Sequence, residues 1–167
     1  MKRKSIIILS LITVLSACSM KYSFTGASIS PSVKTYTIYD FPNRARTINP
    51  TLSDYFVEQL RDKFTRQTSL DYQNDGGDLE FEGSITGYDI KPISVQEGDI
   101  TTQNRLTITL NVTFRNNQDP EQNFETDFSA FSDFSSEFNI ADVEDELVET
   151  IVKQIIDDIY NKSVANW

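Results

Sequence analysis

Between Arg105 and Asn116 the chain alternates without a fault: Leu106, Ile108, Leu110, Val112 and Phe114 are apolar, and Thr107, Thr109, Asn111 and Thr113 between them are polar. Successive side chains of a β-strand point to opposite faces, so this stretch predicts a strand with one face in a core and the other in water. A sheet that is dry on one face needs a cover, and in a chain of this size the cover is a layer of helices.

Two segments have the required period. Leu52, Phe56, Leu60 and Phe64 recur every four residues and predict a helix with one apolar face. Asn49-Pro50 suits its start, because Asn caps exposed N–H groups and Pro fits the first helical position. A longer helix is predicted from Ile140 to Tyr160, where Val143, Leu147, Ile151, Ile155 and Ile159 form one column and Val148, Val152 and Ile156 a second. Its first turns carry Asp142, Glu144, Asp145 and Glu146, where negative charge complements the helix dipole.

Three further strands are expected. Val33 to Phe41 is β-branched and aromatic and stops at Pro42-Asn43; Leu79, Phe81, Gly83 and Ile85 alternate with Glu80, Glu82, Ser84 and Thr86. Beyond Gly87 the parity changes, with Tyr88 and Ile90 apolar, which predicts a β-bulge there. After turn chemistry at Asn116 to Pro120, Phe124, Thr126, Phe128 and Ala130 continue as another strand, and the Ser/Phe/Asp mix up to Phe138 reads as a strand end plus surface loop. The order β-α-β-β-β-α predicts an α+β fold, two helices packed on one face of a four-stranded mixed sheet, as a single domain over residues 33–167. Its strand-helix-strand unit is expected to place the first two strands parallel, with a right-handed crossover.

Ahead of this domain, Lys2, Arg3 and Lys4 precede the apolar run Ile6 to Leu15. Charged-then-apolar is the layout of a secretory signal, and the run is shorter than the roughly 20 residues a membrane span requires. Leu15-Ser16-Ala17-Cys18 resembles a lipobox, with small residues before a thiol that a diacylglycerol donor can alkylate. Residues 1–17 are therefore expected to be a cleaved lipoprotein signal peptide, Cys18 the lipidated residue, and 18–32 a Ser- and Gly-rich tether onto which Tyr22 and Phe24 can dock. Two or more acyl chains hold a protein stably on a bilayer.

Charge and composition narrow the function. The chain carries a net charge of −10, and losing the three bases of the leader takes it to −13, which disfavours nucleic acid as a partner. With no histidine and Cys18 as the single cysteine, Ser-His-Asp triads, cysteine proteases, His-based zinc sites and internal disulfides are all excluded. No cofactor motif is present, since Gly76-Gly77 lacks the spacing and the following Lys of a phosphate loop. Glu80 and Glu82 share a strand face as a glycosidase pair would, but with no aromatic platform beside them they read as a solvated face. The expectation is a binding protein and not an enzyme.

The lipobox, the Tyr22-Ser23-Phe24-Thr25-Gly26 segment and the element order resemble the lipopolysaccharide-assembly lipoprotein family, LptE. The resemblance runs through Lys34-Thr35 to Phe41-Pro42-Asn43, Asn49-Pro50-Thr51-Leu52, Asp78 to Tyr88, and Asn104 to Thr109. It implies a lipid-anchored protein on the periplasmic side of the outer membrane that plugs an LptD-like outer-membrane β-barrel and helps insert lipopolysaccharide into the outer leaflet. A periplasmic structural or pilot lipoprotein of another outer-membrane assembly would carry the same leader and pattern, so the resemblance, not the periodicity, chooses between them. Under this reading the topology places the Asn43 to Asn49 segment, a Lys91 to Arg105 loop and both helix starts at one sheet edge. Arg44, Arg46, Lys91 and Arg105 are the candidate lipopolysaccharide-binding residues, because guanidinium groups and helix N-termini bind phosphate.

Overall fold

The computed structural model describes residues 29–93 and 102–165; the leader, Cys18 and most of the tether lie outside them. In chain order the elements are β1 (Thr35–Ile38), α1 (Leu52–Gln67), β2 (Asp71–Tyr72), β3 (Leu79–Ile93), β4 (Gln103–Asn116), a 3-10 turn (Pro120–Gln122), β5 (Phe124–Ser135), α2 (Ile140–Tyr160) and a terminal π turn (Asn161–Ala165). The strands form one sheet in the order β2-β1-β3-β4-β5. β1 runs parallel to both β2 and β3, while β3-β4 and β4-β5 are antiparallel.

The expected α+β layering holds, but the sheet has five strands and not four, so the element order becomes β-α-β-β-β-β-α. The additional strand is β2, in which Asp71 N–H donates to Lys34 O at 2.9 Å and Gln73 N–H to Tyr36 O at 2.8 Å. A two-residue strand is too short to show any period, and only its partner β1 defines it. The first strand is shorter than the expected Val33 to Phe41. β5, by contrast, runs to Ser135 through residues expected to be loop, because twelve successive residues of β4 hold it in register.

The bulge is where the sequence places it, and the start of α1 is shifted by two residues. α1 opens at Leu52 with Thr51 in the cap position, so Pro50 lies in the turn before the helix and not at its first position. Asn49 still serves the turn into the helix: its Oδ1 accepts from the N–H groups of Thr51 and Leu52 at 3.0 and 3.1 Å. The register of β3 against β4 shifts between Ile85 and Gly87, leaving Thr86 unpaired. That extra residue keeps Ile85 and Tyr88 both on the helix-covered face, where both are buried.

The helices lie parallel over one face of the sheet, tied by Lys63 to Asp157 at 2.6 Å and by the Tyr160 hydroxyl donating to Gln67 O at 3.2 Å. Between the layers Phe64 meets Tyr36, Phe81 and Tyr160 with ring centroids 5.3, 4.9 and 5.4 Å apart. At the far end of the helix-covered sheet face, β4 contributes Leu106, Ile108, Leu110 and Val112, all fully buried. Leu110→Ala should therefore destabilise the domain by about 2 to 5 kcal/mol. Thr109 faces away from the helices and offers only a hydroxyl contact to Ser129 Oγ, so Thr109→Ala should cost far less. Equal losses in chemical denaturation would invert the assigned strand phase.

Candidate anion-binding end of the sheet

Four elements converge at one end of the molecule. Beyond β1 the chain continues alongside β3, where Ile85 N–H donates to Pro42 O at 3.1 Å and Arg44 N–H to Ile85 O at 2.8 Å. It then turns through Arg46 and Ile48 to the cap of α1. Asn49 Nδ2 donates to Glu144 Oε1 at 2.9 Å, and the Tyr88 hydroxyl donates to the same oxygen. Glu144 lies in the second turn of α2, so this one carboxylate joins β3 to the starts of both helices. Burial, followed by the hydrogen bond to Glu144, pushes the Tyr88 phenol well above its ordinary value, so it stays a donor at every physiological pH.

Within this frame the four candidate cations fare differently. Lys91 and Arg105 are not in a loop, as the sequence led us to expect; they are direct cross-strand partners in β3 and β4, because the hairpin strands extend to Ile93 and from Gln103. Both sit on the face that carries no helix. Arg105 is already engaged: its Nε and NH2 donate to the two oxygens of Asp133 at 2.6 and 2.8 Å, and its guanidinium lies 3.6 Å over the Phe131 ring. Lys91, Arg44 and Arg46 are exposed, and none pairs with an acid among the described residues. Arg44 stands beside Ile85, six residues back along β3 from Lys91, roughly 20 Å at the rise of an extended strand. One compact cluster of four is thus not formed. The two helix N-termini do meet at this end, yet Asn49 already takes the N–H groups of Thr51 and Leu52, and α2 opens with its own acids.

The fork from Arg105 holds the Asp133 carboxyl below the ordinary carboxylate range. A depressed folded-state value means that the pair contributes stability above the unfolded Asp value, about 3.9, and loses it as pH falls through the lower folded value. A carboxyl-carbon NMR titration should place the Asp133 midpoint below that of an ordinary aspartate, and Arg105→Ala should return it. An unmoved midpoint in the variant would break the assignment.

The sequence reading missed the apolar partner of this site. Ile48, Ile90, Phe131 and Phe138 are the large hydrophobic residues left exposed among the described residues, at 63, 41, 49 and 57 %. All four lie at this end: Ile48 precedes the cap of α1, Ile90 neighbours Lys91, Phe131 underlies Arg105, and Phe138 precedes the cap of α2. Ile90 and Lys91 occupy opposite faces of β3 and Phe131 lies under the engaged Arg105, so the apolar and cationic groups share this end of the molecule rather than one face. Apolar and cationic groups together suit an amphiphile with an anionic head. Their traces in the sequence are an isoleucine ahead of Asn49-Pro50, an apolar residue past the bulge and the phenylalanines of the Ser/Phe/Asp mix. Glu80 and Glu82, for their part, share Arg115, at 4.0 and 2.5 Å.

The architecture is that of a small two-layer α+β domain known from bacterial lipoproteins. Three solved structures share it: a minor lipoprotein from Acinetobacter baumannii (TM-score 0.50, 14 % identity, covering 78 % of this chain and 92 % of that one), the rare lipoprotein B from Shewanella oneidensis (0.50, 6 %, 77 and 90 %), and an uncharacterized lipoprotein B from Nitrosomonas europaea (0.53, 12 %, 85 and 88 %). At these identities the likeness is one of fold. No curated protein sequence matches the chain. The family model described as LptE, lipopolysaccharide-assembly, matches residues 33–163, and the chain belongs to that family. Membership implies a part in lipopolysaccharide assembly, within a family of non-enzymatic lipoproteins associated with the outer membrane. Among the described residues no helix is long and apolar enough to cross a membrane.

Proposed function

We propose that the protein is anchored through lipid on Cys18 at the periplasmic face of the outer membrane, seats in an LptD-like β-barrel as a plug, and passes lipopolysaccharide toward the outer leaflet by binding it. The observation that carries this reading is the family match across residues 33–163, nearly the whole domain. The amphipathic end supports it physically. Arg44, Arg46 and Lys91 offer charge to lipid phosphates, and Ile48, Ile90 and Phe138 offer apolar surface to acyl chains. Arg105 serves differently from the other three: with Asp133 and Phe131 it stiffens the hairpin that presents Lys91.

Charge reversal tests the site. Arg44→Glu, Arg46→Glu and Lys91→Glu together should weaken lipopolysaccharide binding by the purified protein roughly tenfold or more, with thermal unfolding nearly unchanged because no ion pair among the described residues is broken. Unaltered binding in the triple variant would remove these residues from the site. Affinity capture in mild detergent tests the partner, since a plug should bring down one large β-barrel in equal amount. Capture of a different assembly would favour the structural or pilot role.

A further inference from the structure

The sheet has two outer margins, and they are guarded unequally. On one side β2 is only two residues long, and the open length of β3 beyond Ile85 follows a bulge and contains Lys91 and Pro92. Short strands, bulges, lysine and proline are the devices that keep an edge from pairing with another chain. On the other side β5 is twelve residues long, contains neither Pro nor Lys, and keeps an unbroken register with β4 from Phe124 to Ser135.

Backbone parity shows what this margin exposes. Ser136 N–H donates to Thr102 O at 3.1 Å, extending the β4-β5 ladder by one pair. Since hydrogen-bonded and non-hydrogen-bonded positions alternate in an antiparallel pair, even-numbered residues of β5 direct their backbone groups at β4 and odd-numbered ones direct theirs outward. The N–H groups of Glu125, Asp127, Ser129, Phe131 and Asp133 accordingly have no partner among the described residues. Alongside the distal half of this margin, on the helix side, runs a groove of about 260 Å³ between β5 and α2. Phe134, Phe138, Val143 and Leu147 supply its apolar lining. An added strand would place alternate side chains into this groove and the others on the helix-free face.

We propose that the outer edge of β5, with the β5-α2 groove, is a docking site for an extended polypeptide strand that carries basic residues at alternate positions. The charge on the helix-free face selects that occupant. Glu125, Asp127 and Asp133 line it there; Asp127 accepts from Asn111 Nδ2 at 2.9 Å and Asp133 from Arg105, whereas Glu125 has no partner among the described residues. Lys or Arg directly across from these acids is favourable, and like charge directly across is unfavourable. A second copy of this chain would bring a second acidic row and is disfavoured for that reason. Main-chain hydrogen bonds give such a site its affinity, and the groove and acid row give it specificity.

The test uses the full-length protein in mild detergent and two fluorescent decapeptides, one alternating Lys and Val, the other Glu and Val. The Lys-Val peptide should bind and the Glu-Val peptide should not. On binding, hydrogen exchange should slow at the amides of Asp127, Ser129 and Phe131 and stay unchanged at Phe128 and Ala130, whose N–H groups already face β4. Ser129→Pro removes one outward donor without touching the ladder and should weaken the Lys-Val peptide about tenfold. Glu125→Lys combined with Asp127→Lys should reverse the preference between peptides. Absence of Lys-Val binding by the unaltered protein, or equal binding by Ser129→Pro with no slowed amides, would overturn the proposal. Slowed exchange at the same amides that appears without peptide as protein concentration rises would overturn it in favour of a second copy.

Discussion

Phe64→Ala is expected to remove about 3 to 5 kcal/mol of folding stability. Phe64 is fully buried at the last turn of α1, and its ring is shared by β1 through Tyr36, β3 through Phe81 and α2 through Tyr160. Both helices and the parallel part of the sheet meet on this one side chain, so the cavity left behind has walls from four elements that cannot all close together. The measurement is the midpoint of chemical denaturation at an unchanged denaturant dependence. Arg66→Ala, two residues on, is the control. Its partner Asp62 is half exposed and it is itself largely in solvent, so breaking that surface pair should cost below about 1 kcal/mol. A Phe64→Ala loss no larger than the control would mean that the layers are not joined here.

The second large effect concerns anchoring. Cys18→Ser replaces the thiol with an alcohol that the diacylglycerol transfer does not alkylate, so the variant should lose metabolic palmitate label and shift from the membrane fraction to the soluble one. The reason for a nearly complete shift is additive: each buried methylene contributes about 0.8 kcal/mol, and removing all the chains removes the whole anchor at once. No described helix can substitute for it as a span. Retained label and sedimentation with membranes would refute the lipoprotein assignment. Because the domain core lies in residues 33–164, the variant should unfold at the same temperature as the unaltered protein, which separates loss of anchor from loss of fold.

Much of the candidate site was legible in the sequence as parts, and little of it as a site. Lys91 and Arg105 were named, and the parallel pairing of β1 with β3 was expected from the strand-helix-strand order. What periodicity does not carry is how far a hairpin extends past its bulge, and this decides whether the two are loop residues or cross-strand partners. Nor does composition show that Arg105 is spoken for. Asp133 lies 28 residues away and reaches it only because β5 continues four pairs beyond Ser129. The exposed apolar residues stayed hidden for a related reason: a lone Ile or Phe in a polar stretch looks like a core residue until the core is seen to close without it.

The α2 span, the phase of β4, the bulge after Ile85 and the role of Asn49 in the turn into α1 were determined by the sequence alone, since each depends on residues within one or two turns or pleats of one another. Only the tertiary structure decided that two residues after α1 become a strand, that Glu144 of α2 joins Tyr88 and Asn49, and that the β5 margin has no partner strand among the described residues and lies beside a groove. Each of these depends on which distant segments share hydrogen bonds. A backbone donor is identical at every non-proline position, so the chain's letters do not say which donors will be left facing out.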